Sequence, residues 1–191
     1  MYAALLADGR LYDLLQQFDD DLATEHRACG CPHCSGVLHS ARYPRKPRGF
    51  IGQLDPEYSL RPSFCCAREG CRRRATPPSF RFLERKVYLG AVVVLISALR
   101  YGVSPARMHY LEKRIRVNRR TVMRWRKWWC EQFIATPFWR QASANLMPPV
   151  EPARLPASLL ARFAGALQDR LISLLRFIAP LTTKSAMVHF M

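Results

Sequence analysis

The sequence predicts a mainly α-helical chain carrying one small β element. Three observations lead there: apolar residues at three- and four-residue steps dominate both ends, two bursts of cysteine interrupt them, and proline-rich joints separate the parts. The 191 residues suffice for one domain or two small ones, and 49% are apolar, so a folded core is within reach. Four segments follow: an acidic helix over 1–28, a cysteine-rich β element over 29–80, a helical domain over 81–135, and a Pro-rich linker with an amphipathic helix over 136–191.

In the first segment Leu11, Leu14, Leu15 and Phe18 share one helical face ahead of the acidic run Asp19, Asp20 and Asp21. The opening "MYAALLADGRLYDLL" has no basic n-region and carries Asp8, Arg10 and Asp13, which is unlike a secretory signal. A cytoplasmic, reducing compartment is therefore expected, where lasting disulfides are disfavoured. The longest apolar run, Val87 to Leu99, has 13 residues, against roughly 20 needed for a membrane span. It reads as a buried helix, and no membrane partner is expected.

The second segment opens with "CGCPHC" (Cys29 to Cys34) and ends near "FCCAREGCRRR", which holds Cys65, Cys66 and Cys71. A structural zinc site draws two thiolates from each of two tight turns, because a short spacing lets both sulfurs face one tetrahedral ion. Cys31 and Cys34 enclose two residues and Cys66 and Cys71 enclose four, so these four are the expected ligands of a structural Zn2+. Cys29, Cys65 and His33 stand close by as substitutes. A redox C-x-x-C normally sits at a helix start beside a strand, and here turn residues and arginines surround it. A nucleophilic cysteine needs a partnered histidine and an orienting carboxylate, and only His26 and His33 are near. The expected role is scaffold, and no catalytic residue is assigned.

In the third segment helices are expected from about Glu84 to Arg100, from Pro105 to about Ile115, and from Arg119 to about Ile134. Gly102 suits a helix end, Ser104 and Pro105 suit the next start, and Asn118 suits the cap of the last. Two helices joined by a tight turn follow the helix-turn-helix plan. On the last helix Val122, Trp125, Trp129 and Phe133 recur as a packing face. Its cations fall elsewhere, and the start of such a helix is where base edges are reached in a major groove. Arg119, Arg120, Thr121 and Arg124 are the groove candidates, and Arg126 and Lys127 the backbone candidates.

Charge supports a polyanionic partner. The net charge is +16, yet residues 1–28 hold 2 basic against 6 acidic side chains, 29–130 hold 22 against 5, and 131–191 hold 6 against 3. The excess is thus confined to the segment with the cysteines and the paired helices, and double-stranded nucleic acid is the expected counter-charge. Arg72, Arg73 and Arg74 beside Cys71, and Arg45, Lys46 and Arg48 in "YPRKPRG", are further phosphate candidates.

The order of "CPHC", "FCC", "RRRATPPSFRFLERKVYLGAVVVLISAL", "GVS" and "VNRRTVMRWRKWW" resembles the N-terminal module of bacterial insertion-sequence transposases. The resemblance spans roughly residues 29–130 and implies a zinc ribbon ahead of a helix-turn-helix domain, together binding an element's terminal inverted repeats. It implies zinc at Cys31, Cys34, Cys66 and Cys71 and DNA reading by the helix that opens at Asn118. The longer second cysteine pair and the long loop between the pairs depart from that pattern. Such transposases continue into a nuclease domain whose carboxylates hold two metal ions, whereas beyond residue 130 this chain has Glu131, Glu151 and Asp169. The expectation is a non-enzymatic, nucleoid-associated DNA-binding protein of a mobile element that assists or regulates a separate transposase subunit. A truncated transposase fragment completed by a partner chain and an RNA-associated zinc-ribbon protein are the alternatives. Residues 154–178 expose a broad apolar face by pattern (Leu159, Leu160, Phe163, Leu167, Leu171, Leu174, Leu175), suited either to homodimerisation or to packing on the chain's own helices.

Overall fold

A computed structural model describes residues 2–51, 55–83, 88–99 and 104–183. The chain is mainly helical with a small three-stranded antiparallel sheet. In order it forms α1 (Tyr2–Leu6), α2 (Gly9–Ala28), β1 (Leu38–Pro44), β2 (Leu60–Cys66), β3 (Arg74–Ala75), α3 (Gly90–Ser97), α4 (Pro105–Ile115), α5 (Arg119–Lys127), α6 (Pro137–Ser143), α7 (Ala157–Leu160) and α8 (Leu167–Ile178).

α2 begins where Asp8 accepts the backbone N–H of Arg10, and it buries Leu11, Tyr12, Leu15 and Asp19. Leu14 and Phe18, expected on the same face, are half-buried. β1 and β2 pair over their whole length, from Leu38 opposite Cys66 to Pro44 opposite Leu60, and β3 adds Ala75 and Arg74 opposite Phe64 and Cys65. Of the stretch between the cysteine pairs, residues 38–44 and 60–65 form paired strands and 45–59 join them.

α3 is buried at every position, as a helix apolar on all sides must be. Its described start is Gly90, later than the expected Glu84. Tyr88 and Leu89 instead make bridges to Arg48 and Phe82, and the Gly90 N–H donates to the Arg81 carbonyl at 2.8 Å. Gly90 also lets α8 approach: a Cβ there would lie 3.1 Å from Leu175 Cδ2. The expected Gly102 break and the residues 84–87 and 100 lie outside the described residues. α4 has the expected bounds, and α5 starts at Arg119 as its cap predicts before widening into a π-helical turn over Trp128–Phe133.

One core joins these parts. Leu6, Leu11, Val92, Leu95, Trp129, Phe133, Leu159, Leu171 and Leu174 all belong to it, so residues of α1, α2, α3, α7, α8 and the turn after α5 are mutually covered. Val122, Trp125, Trp129 and Phe133 pack inward as their spacing predicts. Leu159, Leu160, Leu171, Leu174 and Leu175 are likewise buried in this core, while Phe163 and Leu167 are half-buried against it. A second, small cluster holds Cys31, Leu38, Phe64 and Cys66, with Ala23 of α2 against it.

Two buried arginines stitch the layers together. Arg81 donates from Nε to Asp19 Oδ2 at 2.8 Å, and from its two terminal nitrogens to the carbonyls of Tyr58 and Leu60. Arg61 of β2 reaches the Thr182 carbonyl at 2.8 Å, while Thr182 Oγ1 accepts the Ser79 N–H. The sheet, α2 and the residues after α8 are thus held by polar contacts that span most of the sequence. No helix among the described residues is long and apolar enough to cross a membrane.

Candidate metal centre and basic surface

The first turn is built by backbone bonds from the Cys34 and Ser35 N–H groups to the Cys31 carbonyl and from the Cys31 N–H to the Gly36 carbonyl. Gly30 and Ser35 take positive φ angles of 76° and 56° on either side of it. The second turn is closed by the N–H groups of Cys71 and Arg72 on the Arg68 carbonyl, with Gly70 and Arg72 at positive φ. β-pairing brings the turns face to face, because Leu38, just after the first, lies opposite Cys66, which opens the second.

The sulfurs of Cys31, Cys34, Cys66 and Cys71 all lie within 4.8 Å of one another, a group that could hold a metal ion. Cys31 and Cys71 are 3.8 Å apart, and Cys34 and Cys66 3.5 Å. The neighbouring candidates are placed elsewhere. Cys65 and Cys66 are consecutive on a strand and so face opposite sides. The Cys65 thiol donates to the carbonyls of Arg72 and Cys66. Cys29 is exposed, and His33 Nδ1 lies 3.1 Å from the Arg73 guanidinium.

Backbone amides aim at these sulfurs. The Gly36 N–H on its sulfur, with the Cys66 thiol, pulls the Cys34 thiol down to about 7. The Arg68 N–H favours the thiolate of Cys66 too, but burial and the neighbouring sulfurs outweigh it and push that thiol up to about 12. Cys71 is also raised, burial and the Cys34 and Cys31 sulfurs overcoming the Arg73 N–H. Thiolates packed this closely repel one another, and a cation held among them would offset that repulsion. Gly36 is a part of this site that cysteine spacing does not reveal. A Cβ there would lie 3.2 Å from Cys66 Sγ and 3.3 Å from Cys34 Sγ, so glycine is what lets the chain pass so near the cluster. Its one signal in the sequence is the pattern Cys-x-Gly that starts at Cys34.

The basic surface is divided among several elements. Asn118 Oδ1 accepts the Thr121 N–H at 2.9 Å and fixes the start of α5. Arg119, Arg120, Arg124 and Lys127 are exposed, and Arg126 is half-buried. Thr121, expected in the groove, is buried at 4% exposure and uses its hydroxyl to accept from Arg124 at 3.2 Å. It orients an arginine and does not face outward, because the cap places its side chain on the packed side. Lys127 pairs with Glu131 at 3.6 Å. Met123, which the charge pattern passes over, stands 57% exposed between these cations.

Arg72, Arg73 and Arg74 are exposed beside the second turn, with Arg73 tied to His33 of the first. Lys46 and Arg48 are exposed, whereas Arg45 is half-buried with its guanidinium 5.8 Å from the Phe82 ring centre. Comparison with protein-family models, curated proteins and solved structures finds no match for this chain.

Proposed function

We propose that this protein is a zinc-stabilised binder of double-stranded DNA, built as a zinc ribbon followed by a helix-turn-helix, that serves a mobile element without breaking bonds itself. The observation that carries the reading is α5. Its apolar side is locked into the core while Arg119, Arg120 and Arg124 project from its capped first turns. Three residues separate it from α4, the arrangement in which a second helix enters a major groove. Arginine there can bond guanine O6 and N7 together, and the exposed Met123 suits the C5-methyl of thymine.

Zinc suits four sulfurs at these separations. Zn–S bonds of about 2.3 Å in a tetrahedron place sulfurs about 3.8 Å apart, close to the 3.5 and 3.8 Å pairs of the cluster. Bound there, the ion closes the sheet end and sets Arg72 and Arg74 on a stiff turn beside the duplex. The mobile-element setting rests on the resemblance of residues 29–130 and on the basic segment that coincides with it.

Arg120→Ala is expected to weaken binding to a selected duplex by about 1–3 kcal/mol, roughly 5- to 150-fold, and random duplex far less. Titration of both duplexes at one salt concentration measures this; equal losses would make Arg120 a backbone contact. Gly36→Ala is expected to lower zinc affinity about 10–100-fold, the range for changes just outside a coordination shell. Competition with a chromogenic chelator reads it out, and an unchanged affinity would mean the sulfurs tolerate a methyl at 3.2 Å. Genomic footprinting then tests the setting: occupancy of inverted repeats supports it, and occupancy of structured RNA or of scattered promoters replaces it.

A further inference from the structure

A pocket of about 370 Å3 lies between the "YPRKPRG" loop and the link that joins α4 to α5. Arg48 lines one wall and Arg114 and Arg116 the other. All three are exposed, and among the described residues none has a carboxylate partner. Arg114 rests 6.0 Å from the Tyr110 ring centre. Asp55 is also on the lining, but its Oδ1 accepts the Glu57 N–H at 2.7 Å as the cap of the turn that follows.

The walls are braced to each other and to α5. The Tyr88 hydroxyl donates to the Arg116 carbonyl at 2.8 Å, and Tyr88 bridges Arg48 through backbone, reinforced by the Leu89 N–H on the Arg48 carbonyl. The Tyr88 ring meets Trp125 of α5 edge-on at 5.0 Å. One residue, through its backbone and its side chain, therefore holds the loop, the link and the exposed arginine helix in a fixed relation.

Arg116 itself is anomalous. It sits just after α4 with φ of 53°, the left-handed region where helices usually end in glycine or asparagine. A long-stemmed cation kept in that conformation, with its carbonyl clamped, points to use of its charge. We propose that Arg48, Arg114 and Arg116 form a second phosphate site that seats the backbone of the same duplex whose groove takes α5. This rests on the DNA-binding reading above. The cleft ties the cysteine-rich sheet and the helix pair to one continuous stretch of DNA. Arginine forks match phosphate oxygens two at a time, which is why three guanidiniums without carboxylate partners around one concavity suit a phosphodiester.

The test uses the full chain, a labelled random-sequence duplex long enough to span both surfaces, and a salt series. Each phosphate contact contributes about −0.9 to the slope of log affinity on log salt. Arg48→Gln and Arg114→Gln should each make the slope shallower by about 0.9, and the double variant by about twice that, with sequence preference unchanged. Arg116→Gly removes the backbone strain with the cation; it should melt no lower than the parent and still bind more weakly. Wild-type binding with an undiminished slope in the double variant overturns the cleft and leaves α5 standing. A wild type that binds no duplex overturns both. Inorganic phosphate, titrated into DNA-free protein, should show no saturable site; saturable binding lost in the double variant would assign the pocket to a free anion and overturn the proposal.

Discussion

Cys66→Ser is expected to yield a protein with little bound zinc and with the 29–80 region unfolded. Cys66 is fully buried and belongs to both the sulfur cluster and the small apolar cluster of Cys31, Leu38 and Phe64. That cluster has too few apolar side chains to order a sheet by burial alone, at roughly 1.5–3 kcal/mol for each large side chain. In isolated finger peptides a structural zinc supplies roughly 10–16 kcal/mol, so on the zinc reading proposed above losing one thiolate removes a large source of order at this end of the sheet. A serine hydroxyl is a poor substitute, since it stays protonated and is a far weaker donor to zinc than a thiolate. Metal analysis on the purified variant and circular dichroism against temperature are the measurements. Cys65→Ser is the matched control: its sulfur faces Arg72 and the opposite side of β2, so zinc content should be unchanged. Full zinc with a parental melt for Cys66→Ser, or zinc loss for Cys65→Ser, would sink the assignment.

Why these four cysteines were legible and their neighbours ambiguous has a physical reason. A two-residue spacing implies a turn, so Cys31 and Cys34 could be read directly from "CPHC". Adjacent cysteines carry no spacing information; the choice of Cys66 over Cys65 depends on which face of β2 meets the first turn, and that is set by pairing with residues 38–44. The start of α5 was readable because Asn118 is a local cap, satisfied within three residues. The start of α3 was not, because an apolar run looks the same in a helix and in the buried bridge that Tyr88 and Leu89 make with distant residues. The C-terminal leucines illustrate the same limit: their spacing defines an apolar face but not what covers it, and the core of this chain does. The charge pattern groups Thr121 with the outward cations, whereas three residues after its cap the side chain turns to the packed side.

Asp19 carries the second large expected effect, and it was hidden inside an acidic run. Asp19 and Arg81 pair at 2.8 Å with side chains only 1% exposed, while the adjacent Asp20 and Asp21 are exposed. Asp19 Oδ2 also accepts the Ser79 hydroxyl at 2.7 Å, and Oδ1 accepts the Phe80 N–H at 2.6 Å. Asp19→Ala would leave the Arg81 cation buried beside Tyr58 and Phe82 without a counter-charge, and would orphan a hydroxyl and an amide. Breaking one side of a buried pair costs about 3–5 kcal/mol, which is a large share of the roughly 5–15 kcal/mol that holds a typical domain. Urea denaturation should show a lower midpoint with an unchanged slope, and Asp20→Ala and Asp21→Ala should stay within about 0.5 kcal/mol of the parent. The double variant Asp19→Ala with Arg81→Met should be less unstable than the two single losses added together, because removing both charges also removes the uncompensated one. Additive losses would mean that the two side chains act separately. A parental midpoint for Asp19→Ala would mean the pair does not hold α2 to the segment that leads into the Phe82–Leu89 bridge. The same anchor sets the approach of the sheet to the helices, so the duplex binding proposed above should be lost in the variant at the urea concentration where it unfolds, and not before.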